Sequence, residues 1–384
     1  MPDQAPPRPR LLLVDNSLQT TGAFVSAMVM ADLLAPHFEF EVLLSDRSEL
    51  KPLVQARGLT CHTLPMRELG KSLPRLLAYL PFLLLNTLRL RRLLRERQID
   101  VLVMNDYYNL LGAMACLTGW SGVLFTWVRL MPHAQHRQLN KLWIALGFRC
   151  SQAVLAVSSA VARQLPPGPK LHKLYIPSGF LSETEPDNSV RSDQEVRLLY
   201  LSNYIAGKGL PQALAAFTSA FRRNTALRLR FVGGDMALEK NRQLRSNMEA
   251  RASELGLAGM VSFADATPRP ADEIQRCDIL LNFSESESFS ATCFEASALG
   301  RPVIATRCGG PEEIILDGRT GMLVDVNNVE QMANAIVELS NSAEQRTRMG
   351  AAGRTHVTEK FSGEAFRARF VALVMQATKG GPAC

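Results

Sequence analysis

The residues best suited to chemistry crowd into one stretch, Asn282–Ala305, which reads NFSESESFSATCFEASALGRPVIA. Its pattern predicts a buried strand, a turn rich in serine and glutamate, a helix stopped by Gly300, and another strand. The serines offer N-cap oxygens at Ser288 or Ser290. A helix starting there aims free backbone N–H groups and the positive end of its dipole outward, a setting that suits phosphate. Glu287 falls in the turn and Glu295 one to two turns inside the helix. A carboxylate pointed at phosphate would repel it. Beside the phosphate, it accepts hydrogen bonds from the neutral hydroxyls of a ribose or a sugar. Two other uses of the pair stand next to this one: a solvated acidic turn after an N-cap, and an acid/base couple of the glycosidase kind. The surrounding anion site weighs against the glycosidase use.

A second cluster, Ser202–Gly209 (SNYIAGKG), follows another predicted strand and carries Lys208. Gly233 and Gly234 follow the next strand. Arg129 ends a strand of the first half, where it either contributes to donor or acceptor binding or is a solvated or packing arginine. His133 and His136 read as surface residues, and His37, His62, His172 and His356 as structural ones.

Positioning these groups requires strands whose ends point the same way. Apolar runs predict strands at Leu11–Asp15, Phe38–Leu44, Leu59–Leu64, Asp100–Asn105, Gly122–Val128 and Ala153–Val157, separated by stretches of helical period such as Ala23–Leu34. The rhythm returns with Val196–Leu201, Leu227–Val232, Met260–Phe263, Asp278–Phe283, Pro302–Ala305 and Gly321–Val324. Continuous apolar strands alternating with helices predict parallel sheets covered on both faces. The expected fold class is therefore α/β: two doubly wound Rossmann-like domains of six strands each, facing each other across a cleft. The first spans 1–178, a polar acidic linker 179–195, the second 196–362, and a C-terminal helix and tail 363–384 packs back on the first. Ligands of such sheets bind outside the carboxyl ends of the strands, where all the loops named above fall.

Glu287-x7-Glu295 is followed by Gly300-Arg-Pro-Val-Ile-Ala, then Gly309-Gly-Pro-Glu-Glu313, then Asp317-Gly-Arg-Thr-Gly321. This series resembles the C-terminal signature of the retaining GT-B glycosyltransferases of family 4 (glycosyl transferases group 1). Ile176-Pro-Ser-Gly179 resembles the family's I-P-N-G before the linker. The Ser202–Gly209 loop resembles its diphosphate loop, with Lys208-Gly209 kept and Asn203 in the place of the usual arginine. Gly22 resembles the family's first-domain glycine loop, with Thr21 replacing the first glycine.

The resemblance implies a transferase that moves a sugar from a UDP- or GDP-linked donor to a glycan or lipid-linked acceptor, in building cell-surface polysaccharide or glycolipid. By the same resemblance Glu295 binds ribose hydroxyls and Glu287 the donor sugar. Lys208 neutralises the diphosphate, assisted by the N–H groups of Phe289, Ser290 and Ala291, and Ser202, Asn203, Gly209, Gly233 and Gly234 complete the donor site. Thr21, Gly22 and Arg129 serve acceptor and phosphate. The histidine that many members place after the fifth strand is missing here. With Asn203, that absence keeps two alternatives in play: a non-catalytic sugar-nucleotide-binding or partner subunit, or a sugar-nucleotide epimerase. No cofactor is expected, and no metal, since no Asp-x-Asp stands in a loop after a strand.

Composition narrows the setting. The chain has 384 residues, 47% hydrophobic and 21% charged, enough for two cored domains and unlike a disordered protein. Seven scattered cysteines without a C-x-x-C argue against a disulfide framework or zinc cluster and for a reducing cytoplasm. No apolar run reaches the ~18 residues of a membrane span. Residues 1–180 hold 20 Lys and Arg against 11 Asp and Glu, and the remainder holds 23 against 25. Within the basic half, 71–97 carries seven basic residues and one acid among many leucines. Its arginines are not interleaved with aromatics, which speaks against nucleic acid. It is either a peripheral contact with an anionic membrane at the inner face of the cell, or ordinary helices with a wet arginine face, broken in two at Pro81.

Overall fold

A computed structural model describes residues 7–66, 73–132, 137–176 and 195–379. His133 and His136, almost all of the 179–195 linker, Pro177–Gly179 and the first two residues of 71–97 lie outside the described residues. The chain divides into two compact units, Met1–Pro177 with Gly363–Cys384, and Ser178–Ser362.

The first unit runs β1 (Arg10–Val14), α1 (Gly22–Leu34), β2 (Glu39–Ser45), α2 (Lys51–Ala56), β3 (Thr60–Leu64), α3 (Leu73–Glu96), β4 (Val101–Met104) and α4 (Leu111–Leu117). It continues with β5 (Val123–Val128), α5 (Arg137–Cys150), β6 (Ala153–Ala156), α6 (Ser159–Ala162) and β7 (Leu171–Lys173). Among the described residues its sheet has the order β3-β2-β1-β4-β5-β6-β7, all parallel, so the chain reverses its direction of growth between β1 and β4. Leu11, Leu12, Leu13 and Val14 are all buried because helices cover both faces of the strand, which is why β1 reads as a run and not as an alternation.

The second unit runs β8 (Val196–Leu201), α7 (Leu210–Phe221), β9 (Leu227–Val232), α8 (Glu239–Glu254), β10 (Val261–Ala264), α9 (Pro270–Arg276) and β11 (Ile279–Asn282). Then come α10 (Ala291–Ala298), β12 (Val303–Thr306), α11 (Pro311–Ile314), β13 (Gly321–Val324), α12 (Val329–Ser340) and α13 (Ala343–Lys360). Its parallel sheet has the order β10-β9-β8-β11-β12-β13, reversing between β8 and β11. Both sheets are doubly wound, and each reversal opens a crevice at the carboxyl ends of the strands.

Two sequence expectations are corrected. The first sheet has a seventh strand, β7, whose three residues Leu-His-Lys pair along one edge and are too few and too polar to show a period. Pro81 does not divide the leucine-rich segment, because α3 passes through it as one helix. Pro81 is on the exposed face, where water can satisfy the carbonyl that its ring leaves without a donor.

A last helix, α14 (Gly363–Lys379), belongs to the first unit although it follows the second in sequence. Phe366 stacks on Trp127 with ring centres 6.2 Å apart, and Phe370 meets Phe125 at 5.6 Å and Phe38 at 5.9 Å. All three tryptophans (120, 127 and 143) lie in this unit, so tryptophan fluorescence reports on it alone. Phe370→Ala is expected to cost the first unit about 3–5 kcal/mol, seen as a lower urea midpoint by fluorescence. Far-UV circular dichroism should keep a later transition from the second unit.

Candidate active site

In the second unit the loops after β8, β9, β11 and β12 converge so closely that glycine is required. A Cβ on Gly209 would stand 1.9 Å from the Phe283 carbonyl oxygen, and φ is +69° there. One on Gly233 would stand 1.9 Å from the Ser202 oxygen, and one on Gly310 2.4 Å from the Phe289 backbone. The Gly234 N–H donates to Asn203 Oδ1 at 3.0 Å, and Ser202 donates to the Asn203 carbonyl at 3.2 Å. Asn203 therefore ties the lysine loop to the glycine pair after β9.

Lys208 and Glu287 meet at the centre of this convergence, with Nζ 2.8 Å from Oε1. Ser284 Oγ donates to the same carboxylate oxygen at 2.8 Å. The backbone of Glu287 is held too: its N–H reaches the Cys308 carbonyl at 3.1 Å, and its carbonyl accepts from the Gly310 N–H at 2.8 Å. Beneath the pair lies Tyr200, a buried side chain that bonds to both loops. Its hydroxyl donates to the Lys208 carbonyl and accepts from the Phe283 N–H at 2.8 Å.

The helix expected after this turn is α10, with Ser290 as its N-cap residue. The expected side-chain cap is not formed. Ser290 sits in the left-handed region at φ +75°, and its Oγ accepts from Asn282 Nδ2 at 2.9 Å. The Ser290 side chain does not cap α10, and the helix dipole leaves an anion-attracting end beginning at Ala291. Glu295 is buried inside this helix, and Phe289 packs on Phe294 at 5.9 Å and Phe361 at 5.5 Å. Cys293 and Cys308 border the site, but burial pushes both thiols up, Cys308 to about 11, so neither serves as a thiolate nucleophile near neutral pH.

Thr21, Gly22 and Arg129 belong to the first unit and fall at its strand ends. Thr21 Oγ1 caps α1, accepting from the Phe24 N–H at 3.2 Å. The space before Gly22, where a Cβ would project, is open. Arg129 is buried and not solvated: Nε donates to Asn105 Oδ1 at 2.7 Å, Nη1 to Ser26 at 3.1 Å, and the guanidinium lies 4.6 Å from the Trp127 ring centre. Burial lowers it to about 10, against the favourable charges of Asp15 and Asp106. Asn105 Nδ2 also donates to Asp15. Burial, opposed by the Tyr107 N–H and Arg129, raises Asp106 to about 7. Asp15, Asn105 and Asp106 carry no motif in the amino-acid order; their place just past two central strands was the available signal. Tyr200 gave none, since an aromatic in a buried strand reads as core.

Residues 182–356 match the family described as glycosyl transferases group 1. The chain is 31% identical over 192 residues to an alpha-1,3/1,6-mannosyltransferase of Dictyostelium discoideum, covering 47% of this chain and 45% of that protein. It is 29% identical over 222 residues to a GDP-mannose-dependent alpha-(1-6)-phosphatidylinositol monomannoside mannosyltransferase of Mycobacterium tuberculosis, covering 53% and 55%. The chain thus spans about half the length of the curated relatives it matches. Among solved structures, HepE of Anabaena in complex with UDP and glucose superposes with a TM-score of 0.80 at 18% identity, over 96% of this chain and all of that one. Sucrose-phosphate synthase of Thermosynechococcus elongatus gives 0.80 at 17%, over 97% of this chain and all of that one. The fold is the two-Rossmann-domain GT-B type.

Two outcomes test this geometry. Tyr200→Phe strips a bridging hydroxyl from two buried backbone groups and should destabilise the second unit by about 1–3 kcal/mol in urea unfolding followed by circular dichroism. Tyr204→Phe, which removes a buried hydroxyl without a partner among the described residues, should cost nothing; equal losses would contradict the bridge. In the first unit, Asp106 rises from 3.8 to about 7 on folding, so the folded chain keeps a proton that the unfolded chain has released. Its contribution to stability therefore falls as pH climbs from about 4 to 7. Asp106→Asn should flatten that slope in fluorescence-monitored unfolding and leave the unit more stable than wild type at pH 8.

Proposed function

We propose that this chain, whose second unit is a group 1 glycosyltransferase module, transfers a sugar from a UDP- or GDP-linked donor to a glycan or lipid-linked acceptor with retention of configuration. The observation that carries the proposal is the Lys208–Glu287 pair, 2.8 Å apart at the strand ends and beside an α10 N-terminus that the Ser290 side chain leaves uncapped. Breaking the bond between a sugar and a diphosphate builds negative charge on the leaving group. Lys208 and the first N–H groups of α10 supply positive charge fixed in place before that charge appears. Glu287 accepts hydrogen bonds from sugar hydroxyls while holding the lysine, and Glu295 does the same for the ribose. The departing phosphate itself takes the acceptor's proton on the same face, so the scheme uses no covalent nucleophile, metal or cofactor.

The acceptor belongs to cell-surface polysaccharide or glycolipid synthesis at the cytoplasmic side of the membrane. The six described cysteines are free thiols, which suits a reducing compartment. The similarity to a phosphatidylinositol monomannoside mannosyltransferase supports a lipid-linked acceptor.

A second reading follows from Asn203: its side chain is engaged with Gly234 and brings no charge, which favours a subunit that binds a sugar nucleotide without turning it over. Incubation with UDP- and GDP-sugars plus membrane lipid extract separates the two. Release of nucleoside diphosphate is expected, falling about 100- to 1000-fold in Lys208→Ala and in Glu287→Ala. Thermal stabilisation by UDP or GDP without any release would select the non-catalytic subunit, and wild-type turnover in both variants would remove the site assignment.

A further inference from the structure

Helix α3 has one face that its own unit covers and one that it leaves bare. Leu83, Leu90 and Leu94 are buried in the core of the first unit. On the other side Leu80, Leu84, Leu85 and Leu88 are 49, 58, 44 and 63% exposed. Advancing about 100° per residue, these four fall within roughly 140° of the helix surface. Scattered exposed leucines are ordinary, but four on just over two turns make a contiguous apolar patch. The bare face then changes character along the axis. Arg89, Arg92 and Arg95 are exposed beyond the leucines, with Arg91 half-buried between them. The acid there, Glu96, is already paired with Arg92 at 2.6 Å. Helix α4, which packs against α3, carries an exposed leucine of its own, Leu117.

We propose that this face of α3 docks the first unit onto an anionic lipid surface, its leucines entering the acyl boundary and its arginines meeting headgroup phosphates. The leucines leave water for hydrocarbon, and guanidinium groups match phosphate oxygens in geometry and charge. Charge selects this occupant: the exposed Arg89, Arg92 and Arg95 stand there with one acid, Glu96, so the same face on a second copy would be repelled. No described helix is long and apolar enough to cross a membrane, which makes this a surface contact. The inference rests on the proposed function only for the lipid's part as acceptor. Vesicle binding is measured without donor, so its failure would leave transfer to soluble acceptors untouched.

The test floats the full chain with vesicles of phosphatidylglycerol and phosphatidylcholine, and separately with phosphatidylcholine alone. Wild type should float with the anionic vesicles only. Leu84→Ser with Leu88→Ser should weaken that binding at least about tenfold. Arg89→Ala with Arg95→Ala should weaken it about fivefold per arginine, a difference that raised salt erases. All four positions are exposed, and circular dichroism melts confirm that the variants fold. Wild type absent from both vesicle types, or both double variants floating like wild type, would overturn the proposal. So would a leucine variant whose single change is from dimer to monomer in light scattering, since a second copy would then be the occupant.

Discussion

Backbone contact without side chains between is the constraint on which the candidate site depends. Gly209 against Phe283, Gly233 against Ser202 and Gly310 against Phe289 let four loops approach to distances that a single methyl group would prevent. Tyr200 fills the space beneath and satisfies one carbonyl and one N–H that would otherwise be buried without partners. The result is that Lys208 and Glu287, 79 residues apart, meet at 2.8 Å on a floor that cannot easily shift. A flexible lysine gains electrostatic use when its surroundings hold it in place, because less reorganisation remains to be done as charge develops.

The two units use charge differently. In the second, Lys208 stays partly open and the Ser290 side chain leaves the α10 N-terminus uncapped. In the first, the strand-end charges turn on one another: Arg129, Asn105, Asp15 and Ser26 form a buried network, and burial holds Arg129 below and Asp106 above their ordinary ranges. Its basic excess instead stands on outward faces such as the arginine end of α3.

Much of the candidate site was legible in the amino-acid order. The Glu287-x7-Glu295 spacing, the Gly-Lys-Gly loop and the glycine pair after β9 each follow an apolar run, and a parallel sheet directs all such positions to one edge. What stayed hidden had weak local signals. Strand β7 is too short to have a period, Pro81 is tolerated because it faces water, and Ser290 abandons its capping role for a bond to Asn282, eight residues away. Asp106 reads as an ordinary polar residue past a strand end until burial alters its ionisation.

Periodicity and turn chemistry are local, so the doubly wound class, most of the strands and the loops that could hold an anion followed from the amino-acid order. Tertiary structure decided how α14 packs on the first unit, through Phe366 and Phe370 on Trp127 and Phe125, where the sequence led only to a helix returning to that unit. It also decided that Tyr200 joins two loops and that Arg129 lies buried in a network. These outcomes depend on which surfaces and polar groups remain unsatisfied after the sheets have formed, and that is a property of the packed chain and of no segment within it.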